Sequence, residues 1–126
     1  MKKMWWAIAA LVLLFAATLY NSHYISSVTK SLSKQLTEAE RLAEAGKWEE
    51  AEALTLQAQA DWEKHAGYFY TVLRHSDTDA VQTNFRKTLE FLYTQEGGEY
   101  SSANAELMTQ IELLSDMERL TLRNVL

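Results

Sequence analysis

The chain has no cysteine, no proline and only four glycines in 126 residues. Without cysteine there is no disulfide framework, no thiolate metal site and no cysteine nucleophile. Without proline, and with glycine confined to positions 46, 67, 97 and 98, a many-turned β-sandwich or barrel is disfavoured. Basic residues are also scarce, with 12 Lys and Arg against 17 Asp and Glu, so nucleic acid is not an expected partner. The length is that of about one ordinary domain.

What the chain does have is an uncharged opening run. Lys2 and Lys3 precede Met4 to Tyr20, which contains no charged residue. As a helix these residues rise roughly 25 Å, near the short limit for a membrane span. Trp5 and Trp6 at one end, and Tyr20 and Tyr24 at the other, suit the two interfaces, where amphipathic rings settle. A cleaved signal peptide fits less well. The best small-x-small site, Ala16-Ala17-Thr18, lies inside the run, and Tyr20, His23 and Tyr24 occupy later positions that need small residues. A buried core helix of a soluble protein would need a polar face, which the run lacks. The expected division is residues 1–21 as cytoplasmic tip and transmembrane anchor, and residues 22–126 as an extracytoplasmic helical bundle. The positive-inside bias of Lys2 and Lys3 sets that orientation, single-pass in the cell membrane. Setting those two lysines aside leaves ten basic against seventeen acidic residues, so the outer part carries a net −7 and is repelled by anionic lipid surfaces. With about three residues inside, any signal across the membrane passes through a partner.

Beyond Tyr20 the apolar spacing is helical. Residues 25, 28, 32, 36, 39 and 42 or 43 follow the three-four rhythm of one face. No breaker separates them from the span, which predicts one helix from about residue 4 to 45, capped by Gly46. Glu38, Glu40, Arg41 and Glu44 fall on its solvated side. A second helix from about Lys47 carries Trp48, Ala51, Thr55, Ala58, Trp62, His65, Phe69 and Val72 at seven-residue spacing, a seam for knobs-into-holes packing. Leu54 and Leu56 widen it, and Trp48 and Trp62 are its expected core anchors. Gly67 calls for a ring packed over it or a bend. His75 to Asp79 read as the next boundary, with Ser76 or Asp79 as cap and Gln82 at capping-box spacing. Val81, Phe85, Leu89 and Leu92 follow on a third helix. Gly97-Gly98 turns the chain into a fourth, with Tyr100, Ala103, Leu107, Ile111, Leu114 and Met117 inward and the face running on to Leu120 and Asn124. The expected fold is therefore all-α: an N-terminal transmembrane helix continuing into an up-down four-helix bundle. In that order the turn at 76–79 and Leu126 lie near the membrane, and the turns at 46 and 97–98 lie far from it. Ala45 to Ala53 resembles the turn-proximal half of a tetratricopeptide unit, but a single copy without a 34-residue period does not stack into a solenoid.

Chemistry-bearing motifs are sparse. There is no His-Glu-x-x-His, no aspartate-rich calcium loop and no phosphate-cradling glycine loop. Asp61 and His65 are one helical turn apart, but two ligands without a third give no metal site. The simpler reading is an aspartate at the seam edge and a hydrogen-bonded core histidine. A metal-dependent hydrolase would need Asp61, His65 and His75 at one point. Serines 22, 26, 27, 31 and 33 form a polar face with no base to activate them. No catalytic, cofactor-binding or metal residue is assigned, no cofactor is expected, and the chain is read as a non-enzyme. The candidate interaction or sensing residues are His75, Asp77 and Asp79 at the helix junction, with His23 brought towards them, as a pH- or cation-sensitive contact.

The layout resembles the family called domain of unknown function 4363, short membrane-anchored proteins of Gram-positive bacteria. The basic start and apolar span, Trp48 with Ala51, Trp62 with Lys64, His75 at the helix junction, and the close from Ser115 through Leu122-Arg123-Asn124-Val125-Leu126 carry the resemblance. Valine stands in the Asn-Val-Leu ending where isoleucine is expected. The resemblance implies a membrane-associated protein, often encoded beside another small integral membrane protein, and hence an accessory subunit; it brings no catalytic residues. Together these readings favour a single-span, non-enzymatic subunit that contacts lipid through residues 4–20 and binds another integral membrane protein or itself. Ala7, Ala9, Ala10, Ala16 and Ala17 leave room for close helix approach in the membrane. The alternative is an extracytoplasmic small-ligand or cation sensor bundle, which a cavity lined by Trp62, His65 and Tyr68 would favour.

Overall fold

A computed structural model describes the backbone of residues 2–72 and 75–125, and their side chains apart from those of residues 70, 72, 75 and 118–125. The described backbone is almost entirely helical, in four helices: α1 (Lys2–Glu44), α2 (Trp48–Val72), α3 (His75–Tyr93) and α4 (Gly97–Val125). Each helix packs on the next, and α4 closes the ring against α1. That is the expected up-down bundle. Side-chain pairs set the directions. Gln35 meets Asp61, and Tyr24 meets His65 further along α2, so α2 runs antiparallel to α1. Glu40 meets Ser101, and Thr37 meets Met108, so α4 does too. The C-terminal end of α4 therefore returns towards the N-terminal side of α1; Leu126 and the side chains of Val72, Leu120 and Asn124 lie outside the described residues.

α1 is continuous over 43 residues, about 65 Å. Its first buried residue is Ile25, followed by Thr29, Leu32, Leu36, Ala39 and Ala43. Gly46 takes the left-handed φ of +80°. Its N–H bonds the Ala43 carbonyl at 3.0 Å and the Lys47 N–H bonds Leu42 at 2.9 Å, the paired closure of a glycine-capped helix. The α3–α4 turn departs from expectation. Gly97 and Gly98 are already the first residues of α4, and the left-handed residue is Gln95, φ +56°. Its N–H bonds Leu92 at 3.1 Å and that of Glu96 bonds Phe91 at 3.0 Å. The hydrogen-bond closure is the same as at Gly46, so its pattern, and not the nearby glycine pair, decides where the chain reverses.

The α2–α3 boundary also moves. α3 begins at His75, so Ser76 to Asp79 are helical and Asp79 lies beyond the first turn, too far in to cap. Asp77 sits in that turn, where a carboxylate complements the helix dipole. Gly67 is exposed and nothing lies within 4 Å of where its Cβ would be, so no ring packs over it and α2 runs through it as helix. Gly67→Ala should therefore raise stability by about 1 kcal/mol, seen as a higher urea midpoint with an unchanged slope.

The core divides into two apolar clusters. The larger joins Ile25, Leu32 and Leu36 of α1 to Ala58, Trp62 and Phe69 of α2, Val81 and Phe85 of α3, and Leu107, Ile111 and Leu114 of α4. The smaller, at the end remote from the apolar run, joins Ala43, Ala51, Leu92 and Tyr100, with Trp48 half-buried against it. The two tryptophans thus anchor different clusters, and only Trp62 is fully enclosed. Leu56 does not widen the seam; it stands 47% exposed.

Between the clusters each helix contributes one fully buried small or polar residue: Ala39, Thr55, Thr88 and Asn104. The Asn104 amide donates to the Leu36 carbonyl at 3.1 Å and to Glu40 Oε1 at 3.4 Å. An amide bonded to one particular carbonyl favours one alignment of α4 on α1, as buried polar residues do in coiled coils.

Candidate functional site

The apolar run is the least satisfied part of the molecule. Met4, Trp5, Trp6, Ile8, Leu11, Val12, Leu13, Leu14, Phe15, Leu19 and Tyr20 are all exposed. None of the 18-residue stretch that would cross a membrane is covered by the protein. An exposed face of this size is far beyond what a soluble monomer leaves to water, and the run is not a core helix of this bundle. Among the described residues it is the one helix long and apolar enough to cross a membrane.

Aromatic residues gather where α1 enters the bundle. Tyr20 stacks towards Tyr24 with centroids 6.5 Å apart, and Tyr24 meets Tyr68 edge-on at 4.7 Å and His65 at 5.4 Å. The Tyr24 hydroxyl and His65 Nδ1 share a short hydrogen bond. Trp62 stacks on Phe69 at 5.0 Å. Trp62, His65 and Tyr68 therefore each pack against neighbouring rings. Asp61 accepts from Gln35 Nε2 at 2.9 Å while His65 is held by Tyr24, as in the simpler reading of that pair. Among the described residues no three His, Asp or Glu side chains converge to hold a metal ion.

His23 is exposed on α1, whereas its neighbour Tyr24 turns onto α2. Asp77 is half-buried with Oδ2 enclosed and unpartnered, and Asp79 is exposed. The side chain of His75 lies outside the described residues.

The feature that sequence reasoning missed is at the other end. Glu40, expected on the solvated face, is half-buried and accepts from Ser101 Oγ at 3.3 Å and from Asn104. Beside it the Tyr100 ring is 2% exposed. Burial pushes its phenol well above the ordinary value; the Glu40 and Glu44 carboxylates add to this, while Thr55 works against it. The Tyr100 hydroxyl makes no hydrogen bond of normal geometry, and the Thr55 proton goes to the Ala51 carbonyl. A phenol held neutral in the folded state contributes stability that is whole below pH 10 and is lost as pH rises through and above it. Tyr100→Phe should thus be neutral or stabilising by about 1 kcal/mol at pH 7. It should also remove about 1.4 kcal/mol per pH unit from the alkaline slope above pH 10, measured by urea denaturation across pH 8–11.

The family profile of a domain of unknown function, DUF4363, matches residues 19–125. The chain belongs to this family. The DUF4363 match begins at Leu19, six residues ahead of Ile25, where burial starts, so it covers the bundle and leaves residues 4–18 in front of it. No curated protein and no solved structure matches the chain.

Proposed function

We propose that this DUF4363 chain is a single-span membrane protein that acts as a non-enzymatic accessory or interaction subunit of a membrane partner. Residues 4–20 cross the cell membrane with Lys2 and Lys3 inside, and the acidic bundle stands outside. The observation that carries the reading is α1 itself: one unbroken helix whose front exposes an apolar run and whose rear is the first helix of a bundle. A helix that enters the bundle without a hinge transmits tilt or rotation between membrane and bundle. Tyr20 and Tyr24, stacked at the junction, fix the level at which it enters.

The partner meets the span. The alanines at 7, 9, 10, 16 and 17 let a second helix approach closely, and in lipid such packing drives association. A variant whose residues 4–20 are replaced by an unrelated leucine-rich span tests this, alongside the natural chain, by crosslinking in native membranes. The natural chain should give a defined crosslinked species, homo-oligomer or hetero-complex, and the exchanged span should lose it while the bundle stays folded. Equal crosslinking by both would remove the span from the interaction.

A further inference from the structure

We infer that the groove between α1 and α4 on the half of the bundle nearer the apolar run binds a free zwitterion, the ammonium and carboxylate of a small amino acid. The groove holds about 310 Å³. Lys30 lines it from α1, and Glu112 and Asp116 line it from α4. Among the described residues none of the three forms an ion pair; the pairs present are Arg41 with Glu38 and Lys87 with Glu106. Opposite charges thus share one groove without neutralising each other. Ser115 of α4 also lines the groove and is only 8% exposed. A serine inside a helix ordinarily bonds a carbonyl one turn back or points into water. The Ser115 hydroxyl has no hydrogen-bond partner among the described residues, yet it is not one of the sealed polar atoms. The groove is where it opens. Ser26 and Ser33, half-buried on the facing wall, likewise keep unpartnered hydroxyls.

The mixture of charges selects the occupant. A simple anion drawn to Lys30 would also meet Glu112 and Asp116, and a simple cation drawn to those carboxylates would meet Lys30. A zwitterion answers both, with its carboxylate on Lys30 and its ammonium on Glu112 and Asp116, through charge-assisted hydrogen bonds. The serine hydroxyls both donate and accept, so they serve either end. No aromatic or large aliphatic side chain lines the groove, which suits a solute with little apolar surface. Ser26 and Lys30 follow Tyr20 by about 9 and 15 Å along α1. The headgroup layer on each side of a bilayer is about 5–8 Å deep. Lipid headgroups therefore fall short, and the occupant is a free solute. That last step rests on the proposed span, and its failure is visible separately in the test.

The test is equilibrium dialysis of radiolabelled glycine against the full chain in maltoside micelles, which contain no phospholipid. Binding should saturate at one glycine per chain. Unlabelled glycine should displace the label, whereas sodium acetate and methylammonium chloride, each carrying one half of the charge pattern, should not at the same concentration. Lys30→Gln, and Glu112→Gln combined with Asp116→Asn, should each weaken binding at least about tenfold. These side chains are exposed and hold no partner in the bundle, so their replacement leaves the fold intact. Ser115→Ala should weaken binding several-fold without lowering the melting temperature, since its hydroxyl bonds nothing in the protein. Absent or unsaturable binding, equal displacement by either single-charge ion, or unchanged binding in either charge variant would overturn the assignment. Tighter displacement by glycerophosphoethanolamine than by glycine would overturn the free solute in favour of a lipid headgroup.

Discussion

Trp62→Ala should lower the unfolding free energy of the bundle by about 3–5 kcal/mol, the upper range for losing a large core side chain, while Trp48→Ala should cost less than half as much. Both tryptophans lie on one seam two heptads apart, and the sequence pattern alone gives them equal weight. The structure separates them. Trp62 has no exposed surface, stacks on Phe69 at 5.0 Å and belongs to the larger of the two clusters. Trp48 is half-buried at the rim of the smaller cluster and faces a groove on one side. Removing Trp62 opens a cavity that fully enclosed neighbours cannot collapse into, whereas the Trp48 site is already open to water. Trp62→Phe should fall well below the alanine cost, because the indole Nε1 is buried without a partner and leaving it out relieves that penalty. Urea denaturation followed by circular dichroism in a maltoside decides this, with equal costs for the two alanine variants as the contrary result.

Val12→Asp should shift membrane insertion by about a hundredfold or more while leaving the melting of the bundle unchanged. Val12 is near the middle of the uncharged run and is 61% exposed. An aspartate at the centre of a span costs about 2.5–3.5 kcal/mol on the insertion scale, and each 1.4 kcal/mol is tenfold. No buried residue of α1 precedes Ile25, so the substitution touches nothing in the core. The fraction of protein retained in membranes after alkaline washing measures the first effect, and circular dichroism melting of the detergent-solubilised protein measures the second. A bundle that unfolds on this substitution would mean that the run packs against protein.

Most of the architecture was legible because three-four spacing reports which face is buried. Ile25, Leu32, Leu36 and Ala39 on α1, and Val81, Phe85 and Leu92 on α3, are inward as their spacing predicts. The turns were less legible. Glycine at 97–98 drew the reversal two residues too late, since Gln95 accepts the left-handed conformation once the helix-end hydrogen bonds close around it. Asp79 satisfies capping spacing but sits inside α3, because local spacing does not say where the preceding helix stops. Glu40 illustrates a different limit. One-helix periodicity places it on the solvated side, and only the approach of α4, with Ser101 and Asn104 facing it, makes it half-buried. Polar contacts between helices distant in sequence leave no mark in the pattern of either helix. Asn104 itself stands next to Ala103 on the inward face of α4, yet nothing local distinguishes it from a solvated asparagine.

Because the chain has no cysteine, a single introduced thiol is the only reactive one and reports on which side of the membrane it stands. In intact cells a membrane-impermeant maleimide should label Ala105→Cys, on an exposed position of α4, and should label a cysteine inserted after Met1 only once the membrane is opened. Labelling of the N-terminal cysteine in intact cells, or protection of Ala105→Cys, would contradict a helix that crosses the bilayer to hold the bundle outside.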